Sequence, residues 1–318
     1  MGMILTIFKM PADKPLSPYR GRFAPSPTGP LHFGSLVAAV GSFLEARSQG
    51  GEWLVRMDDL DLPRVVPGAA DDILRTLDAF GLHWDGEVMF QSARNEAYRA
   101  ALAELEKLGA VYPCACTRRE IADSALTGID GPVYPGTCRG GLPDGRSARA
   151  MRVRADSGAV GFDDGLQGRI SQMLATEVGD FVVRRADGLF AYQLAVVVDD
   201  AEQIVTHIVR GADLLDSTTR QIYLQKLLGL PTPAYMHLPV VVNERGEKLS
   251  KQTLAPAVSI ANPVGALFDA LVFLNQSPPA ELKDADLDDF WKWAIAHWRA
   301  DRLPAVRSRP LSGVKVLE

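Results

Sequence analysis

The chain has 318 residues, a formal net charge of −5, 47% hydrophobic residues and 23% charged residues. That balance excludes a low-complexity or disordered chain and predicts a packed core, in one large domain or two smaller ones. The acidic charge argues against indiscriminate coating of nucleic acid and leaves room only for a local basic face. No apolar run is long enough to span a bilayer, so no membrane partner is expected.

Residues 1–18 read as a flexible N-terminal extension, because their apolar patch lacks the basic lead and small-residue cleavage site of a signal peptide. Arg20–Ala24 predicts a short strand, and the apolar spacing of Leu36–Ala46 predicts a helix that stops at Gly50-Gly51. "EWLVRMDD" reads as the next strand, ending in acids. Pro67, at a first-turn position, opens a helix through "AADDILRTLDAF", and another helix runs from Asn95 to Leu108. This alternation predicts an α/β domain, 19–111, with a parallel sheet and crossover helices. From 112 to 177 Gly and Pro are frequent, the cysteines cluster and short strands such as "ARAMRVRA" occur; this reads as an insertion. The second half of the domain, 178–255, resumes with "DFVVRRADGLFAYQLA", read as a hairpin turning at Asp187-Gly188. A strand "QIVTHIVRG", a helix "TTRQIYLQKLLGL" and a strand "YMHLPVVVN" follow. Region 256–318 is helical, notably in "PVGALFDALVFL" and "LDDFWKWAIAHW".

The chemistry concentrates in a few places. "RFAPSPTGPLHFGS", Arg22–Ser35, sets a rigid turn at the mouth of a helix. A helix N-terminus offers unpaired N–H groups and a positive dipole end to phosphate. Gly34 allows close approach and His32 can donate to an oxyanion; a proline-rich loop capping a buried helix fits the same letters. In "EKLSKQ", Glu247–Gln252, Lys248 and Lys251 suit nucleotide β- and γ-phosphates, or an exposed charged turn. Arg22 and Arg210 suit carboxylate clamps or ion pairs, and Tyr192 a hydroxyl contact or a core aromatic. Arg139, Arg146, Arg149, Arg152 and Arg154 form a basic cluster, for phosphate or a solvated strand edge. The three cysteines are too few and too close for a disulfide framework, which points to a reducing compartment and leaves free thiols or a metal open.

"PSPTGPLHFGS" and "KLSKQ" resemble the two signature motifs of the class I aminoacyl-tRNA synthetases. His32–Ser35 stands where that family has His-Ile-Gly-His, and Lys248–Gln252 where it has Lys-Met-Ser-Lys-Ser. "RFAPSPTG", "GLFAYQLAVVVDD" and "IVRGADLL" resemble the glutamyl-tRNA synthetases in particular, in consistent order over residues 20–255. The short helical C-terminal region, without an anticodon-binding domain, and the pattern Cys114, Cys116, Tyr134, Cys138 are similar to the shortened glutamyl-queuosine branch of that family.

The resemblance implies a Rossmann-like parallel sheet with a zinc-containing insertion. It implies ATP with Mg²⁺ as substrate and tRNA-independent activation of L-glutamate to glutamyl-adenylate. Transfer to the queuosine base in the anticodon loop of tRNA(Asp) would follow, by a cytoplasmic monomer. Carried over by position, His32 and Lys251 are catalytic. Arg22, Phe23, Ala24, Pro25, Ser26, Asp58, Tyr192 and Arg210 hold glutamate. His32, Gly34, Ser35, Lys248, Leu249, Ser250 and Lys251 hold ATP. Cys114, Cys116, Tyr134 and Cys138 hold one structural Zn²⁺. Asp58 departs from the family's Glu and is one methylene shorter. Three rivals share parts of the pattern: a reduced glutamyl-tRNA synthetase charging tRNA(Glu), a small-molecule nucleotidyltransferase, and an inactive RNA-binding paralogue.

Overall fold

In the computed structural model, β1 (Arg20–Phe23) and β2 (Glu52–Met57) run parallel, with Arg20 opposite Glu52 and Phe23 opposite Val55. The described residues are 18–123, 127–128, 131–249 and 256–311, so nearly all of the expected extension lies outside them. Helix α1 (Phe33–Ser48) makes the crossover between these strands, and α2 (Ala69–Ala79) crosses from β2 to the parallel β3 (Met89–Phe90). Gly68 caps α2, so Pro67 stands before the cap rather than in the first turn. Helix α3 (Asn95–Lys107) then leads out of this half.

The expected insertion is stitched into what surrounds it. Its first strand, β4 (Val111–Cys114), opens a stretch with α4 (Arg118–Ala122) and the short antiparallel pair β5 (Thr127–Gly128) and β6 (Gly131–Pro132). Strand β7 (Ala150–Val153) pairs antiparallel with β4. A hairpin of β8 (Ala159–Asp164) and β9 (Gly168–Met173) follows, then the single turn α5 (Leu174–Glu177). Strand β10 (Val182–Arg184) returns to the other edge of β7.

The expected hairpin has only one strand. The chain does turn at Asp187-Gly188, and Phe190 bridges back to Arg184, but Tyr192–Glu202 is helix α6. The run "YQLAVVV" is buried on almost every side, so it carries no alternating pattern to separate strand from helix. Strand β11 (His207–Gly211), helix α7 (Leu215–Leu228) and strand β12 (Ala234–Leu238) complete a second parallel unit. Pro239 divides the strand predicted over "YMHLPVVVN", because proline lacks the ladder N–H; β13 (Val240–Val242) follows it. Helices α8 (Pro263–Phe273) and α9 (Leu287–His297) precede β14 (Ser308–Pro310), which pairs with β13.

Strand β1 lies between the two halves. One edge pairs with β2; at the other, Arg20 N–H donates to Thr206 Oγ1 (2.8 Å) and Thr206 N–H to the Arg20 carbonyl (2.9 Å), just before β11. Chain connections diverge on either side of β1, and ligands of open parallel sheets bind at the strand C-termini beside such a point. Helix α1 is buried almost all round, between the sheet and α8 and α9, with Leu36, Val40 and Leu44 inaccessible. A second core joins α3, α6 and α7 through Tyr98, Leu194 and Leu224. Among the described residues no helix is long and apolar enough to cross a membrane.

Candidate active site and metal centre

A cavity of about 660 Å³ opens at the C-terminal ends of β1, β2, β11 and β12. Its wall brings together Arg22 to Ser26, His32, Gly34, Ser35, Asp58, Tyr192, Arg210, Lys248 and Leu249. Ser250 and Lys251 lie outside the described residues.

His32 is the N-cap of α1. Its Nδ1 accepts the Ser35 backbone N–H (3.2 Å), which puts the ring proton on Nε2, 3.0 Å from Ser35 Oγ. One of the N–H groups expected to face phosphate is therefore held by the histidine itself. Gly34 keeps this corner narrow: a Cβ there would stand 3.2 Å from the His32 ring and 3.5 Å from the Leu249 carbonyl. Residue 258 hydrogen-bonds Leu31, and Ala257 bridges His32, so the chain beyond the lysine loop returns onto this turn. The Lys248 ammonium is ion-paired with Asp213 at the cavity wall.

Beneath Arg22 to Ser26 lies a buried charge cluster. The Arg22 guanidinium forks onto Asp200 (3.2 and 3.4 Å) rather than standing unpaired toward the cavity. Arg56, fully buried, binds Asp58 (2.8 Å) and Asp200 (2.7 Å) and lies 4.0 Å from Asp199. Asp199 also accepts from Gln91 and Tyr98, each at 2.8 Å. Burial raises the Asp58 carboxyl above its ordinary value despite Arg56 and Arg22; at Asp200 burial acts the same way, but the two arginines outweigh it and the net shift is down. Sequence reasoning missed Arg56, Asp199 and Asp200. The available signals were an arginine inside the apolar strand "EWLVRM" and an acid pair ending the apolar run "VVVDD".

Arg210 is almost inaccessible and is held on three sides. Its Nε donates to His237 Nε2 (3.0 Å), and Nη2 to Thr218 Oγ1 (2.8 Å) and Gln221 Oε1 (2.9 Å). Nη1 lies 3.4 Å from the Tyr192 hydroxyl, which joins the two residues expected to act together. His237 in turn contacts Asp164 through Nδ1 (2.5 Å). Burial and the Arg210 charge lower the His237 pKa to about 4 against the pull of Asp164, so the ring is neutral near pH 7.

Away from the cavity, the three cysteine sulfurs lie within 4.8 Å of one another. Cys116 and Cys138 Sγ are 3.7 Å apart, and the Tyr134 hydroxyl is 3.4 Å from Cys114 and 3.6 Å from Cys116. Tetrahedral zinc with bonds of about 2.3 Å to sulfur needs S···S separations of about 3.8 Å, so the donor set fits it. Burial raises the Tyr134 phenol, and a bound cation would be needed to make it an anionic ligand. Gly179, at φ +77, packs against the Tyr134 backbone, where a Cβ would approach within 2.8 Å. Arg152 Nε donates to Cys114 Sγ (3.3 Å), and its guanidinium lies 4.0 Å over the Tyr134 ring. Arg139, Arg146 and Arg154 also bind within the protein, to Ala155 O, Glu120 and Arg139 O. Of the basic cluster, Arg149 is the exposed member whose side chain has no partner among the described residues.

The profile of the family described as "tRNA synthetases class I (E and Q), catalytic domain" matches residues 19–263. The chain is 64% identical over 290 residues to the Glutamyl-Q tRNA(Asp) synthetase of Dechloromonas aromatica, covering 91% of this chain and 96% of that one. It is 62% identical over 287 residues to the same-named protein of Chromobacterium violaceum, covering 90% and 96%. A solved glutamate tRNA ligase from Elizabethkingia meningosepticum shares the fold, with a TM-score of 0.76 at 22% identity over 93% of this chain and 67% of that one. Taken with the first motif turn and Lys248 and Leu249 of the second around one cavity, these matches mean that the chain belongs to the class I tRNA synthetases for glutamate and glutamine, and within them to the glutamyl-Q tRNA(Asp) synthetases.

Proposed function

We propose that this protein activates L-glutamate with ATP, without needing tRNA, and transfers the glutamyl group to the queuosine base of tRNA(Asp). The observation that carries the reading is the cavity in which the first motif turn and the start of the second, Lys248 and Leu249, meet Tyr192, Arg210 and Asp58. Nη1 of Arg210, beside Tyr192, is the fork for a glutamate carboxylate, and Asp58 is the anion for its ammonium group. The α-carboxylate attacks the α-phosphorus of Mg²⁺-bound ATP and pyrophosphate leaves; a hydroxyl of the queuosine base then attacks the carbonyl of the glutamyl-adenylate, and AMP leaves. His32 and the α1 N-terminus stabilise charge on the transferring phosphoryl group, and Lys251 with Lys248 stabilises the departing pyrophosphate. Positioning and electrostatics carry such a step, with no covalent work for side chains. Zinc held by Cys114, Cys116, Tyr134 and Cys138 would supply a structural clamp on the insertion.

A groove of about 580 Å³ beside the cysteine cluster supports an RNA partner. Arg118, Arg149, Arg152 and Arg185 line it. Arg185 is ion-paired with Asp61, which lines the cavity, and with Asp187, which lines the groove, so the groove's exposed positive charge is that of Arg118 and Arg149. We read the protein as a monomer of a reducing cytoplasm, in keeping with its free cysteines.

The test supplies radiolabelled glutamate and ATP with tRNA(Asp) carrying or lacking queuosine, and with tRNA(Glu). Label only on queuosine-bearing tRNA(Asp) supports the reading. Label on tRNA(Glu) that prior oxidation of its 3′ end abolishes would replace it with ordinary charging. Glutamate-dependent ATP–pyrophosphate exchange without tRNA checks the first step, and Lys251→Ala should slow that exchange about 10²–10³-fold.

A further inference from the structure

The Asp164–His237–Arg210 chain is a row of hydrogen bonds whose direction is fixed by chemistry. A guanidinium only donates, so His237 Nε2, which receives Arg210 Nε–H at 3.0 Å, carries no proton. The ring proton is therefore on Nδ1 and is donated to Asp164 Oδ2. Asp164 is itself locked: Oδ1 accepts the backbone N–H groups of Leu166 (3.0 Å), Gln167 (2.9 Å) and His237 (3.1 Å). The ring stacks on Tyr235, at 6.1 Å and 9°. The charged groups facing it are Asp164 on β8, Arg210 on β11 and Asp213 in the turn after β11. With Nε and Nη2 of Arg210 committed to His237, Thr218 and Gln221, the Nη1 end beside Tyr192 is the part of the fork left for a substrate.

We propose that His237 is a positioning residue whose tautomer, set by Asp164, orients Arg210 to bind the carboxylate of the amino-acid substrate. This rests on the proposed role of the cavity in glutamate activation. The decisive variant is Asp164→Asn. The amide oxygen keeps the backbone donors, and the amide NH₂ turns to His237 Nδ1. The ring proton must then move to Nε2, where it faces Arg210 Nε–H, donor against donor, and turns instead to Thr218 Oγ1 at 3.2 Å, so the Arg210–His237 hydrogen bond is lost. Arg210 Nε–H, buried and left without its acceptor, is worth about a 10- to 100-fold loss in binding. His237→Gln keeps an acceptor toward Arg210, so it is the milder change although it removes a ring. Asp164→Asn combined with His237→Gln relieves the conflict, because an amide serves either neighbour.

ATP–pyrophosphate exchange at saturating ATP should give a glutamate KM raised about 10- to 100-fold in Asp164→Asn, with the KM for ATP and kcat little changed. The KM of the double variant should fall back toward that of His237→Gln. Long-range ¹H–¹⁵N spectra of the histidines should show His237 protonated on Nδ1 in the native protein and on Nε2 in Asp164→Asn. A purely structural role predicts the reverse order, with the near-isosteric Asp164→Asn mild and His237→Gln severe, and no rescue. That order, or an Nε2-protonated ring in the native protein, overturns the proposal. If Asp164→Asn does not fold, His237→Gln against His237→Leu replaces it: the amide should hold the glutamate KM within a few-fold and leucine should not, and equal losses overturn the proposal. Absence of glutamate-dependent exchange in the native protein would overturn the functional reading instead, and the spectra would still decide the tautomer.

Discussion

Arg56 shows how much of this site is decided by single side chains. It is the shared cation of Asp58, Asp199 and Asp200, all nearly or wholly inaccessible. Arg56→Met should cost about 3–5 kcal/mol in a urea melt, because it leaves Asp58 buried without its ion-pair partner and Asp200 with Arg22 alone. A loss below 1 kcal/mol would mean that water reaches them. His237 sets a pH dependence whose sign follows from its lowered pKa. Between about 4 and 6.5 the unfolded chain binds a proton that the folded chain refuses, so stability falls as pH drops through that window. The contribution is on the order of 3 kcal/mol, and His237→Gln should flatten that limb of the pH–stability curve. Asp164, held below its ordinary value by the same contact, adds its share only in stronger acid.

At the level of elements, the turns were legible and the long-range partners were not. Arg22, His32 and Arg210 stand out in sequence because proline, glycine and apolar punctuation place them at strand ends. Asp200 is 178 residues from Arg22 and Asp164 is 73 from His237, and no local pattern encodes either meeting. Helix α6 was misread for a related reason: the continuous buried run Leu194–Asp200 lacks the periodicity that distinguishes helix from strand. The cysteine-bearing stretch has a small core of its own, around Tyr112, Cys114, Tyr134 and Cys138. We expect one Zn²⁺ per chain on metal analysis of reduced protein. Chelation or Cys138→Ser should increase protease cleavage within 114–149 and leave the glutamate KM largely intact. Unchanged cleavage would show that the segment holds itself together without metal.

Over the whole molecule, the acidic total does not preclude local positive charge: Arg118 and Arg149 are exposed in the groove beside the cysteine cluster, whereas Arg185 is paired with Asp187 and Asp61. Phosphate contacts of this kind position an RNA without reading it. Arg118→Glu with Arg149→Glu should weaken transfer to tRNA(Asp) at least tenfold and lower its salt dependence, while tRNA-free exchange stays unchanged; an equal loss in both reactions would count against the groove. The path of the chain through β8 bears on how this protein can be engineered. The segment that looks like a removable cassette, 112–177, delivers Asp164 to His237, which holds the cavity residue Arg210, and pairs it opposite Tyr235. Grafting a homologous segment therefore also swaps the partner of His237. Chimaeras joined after β7 and before β10 should inherit altered amino-acid affinity with the graft, whereas joints confined to residues 115–149 should be neutral toward it.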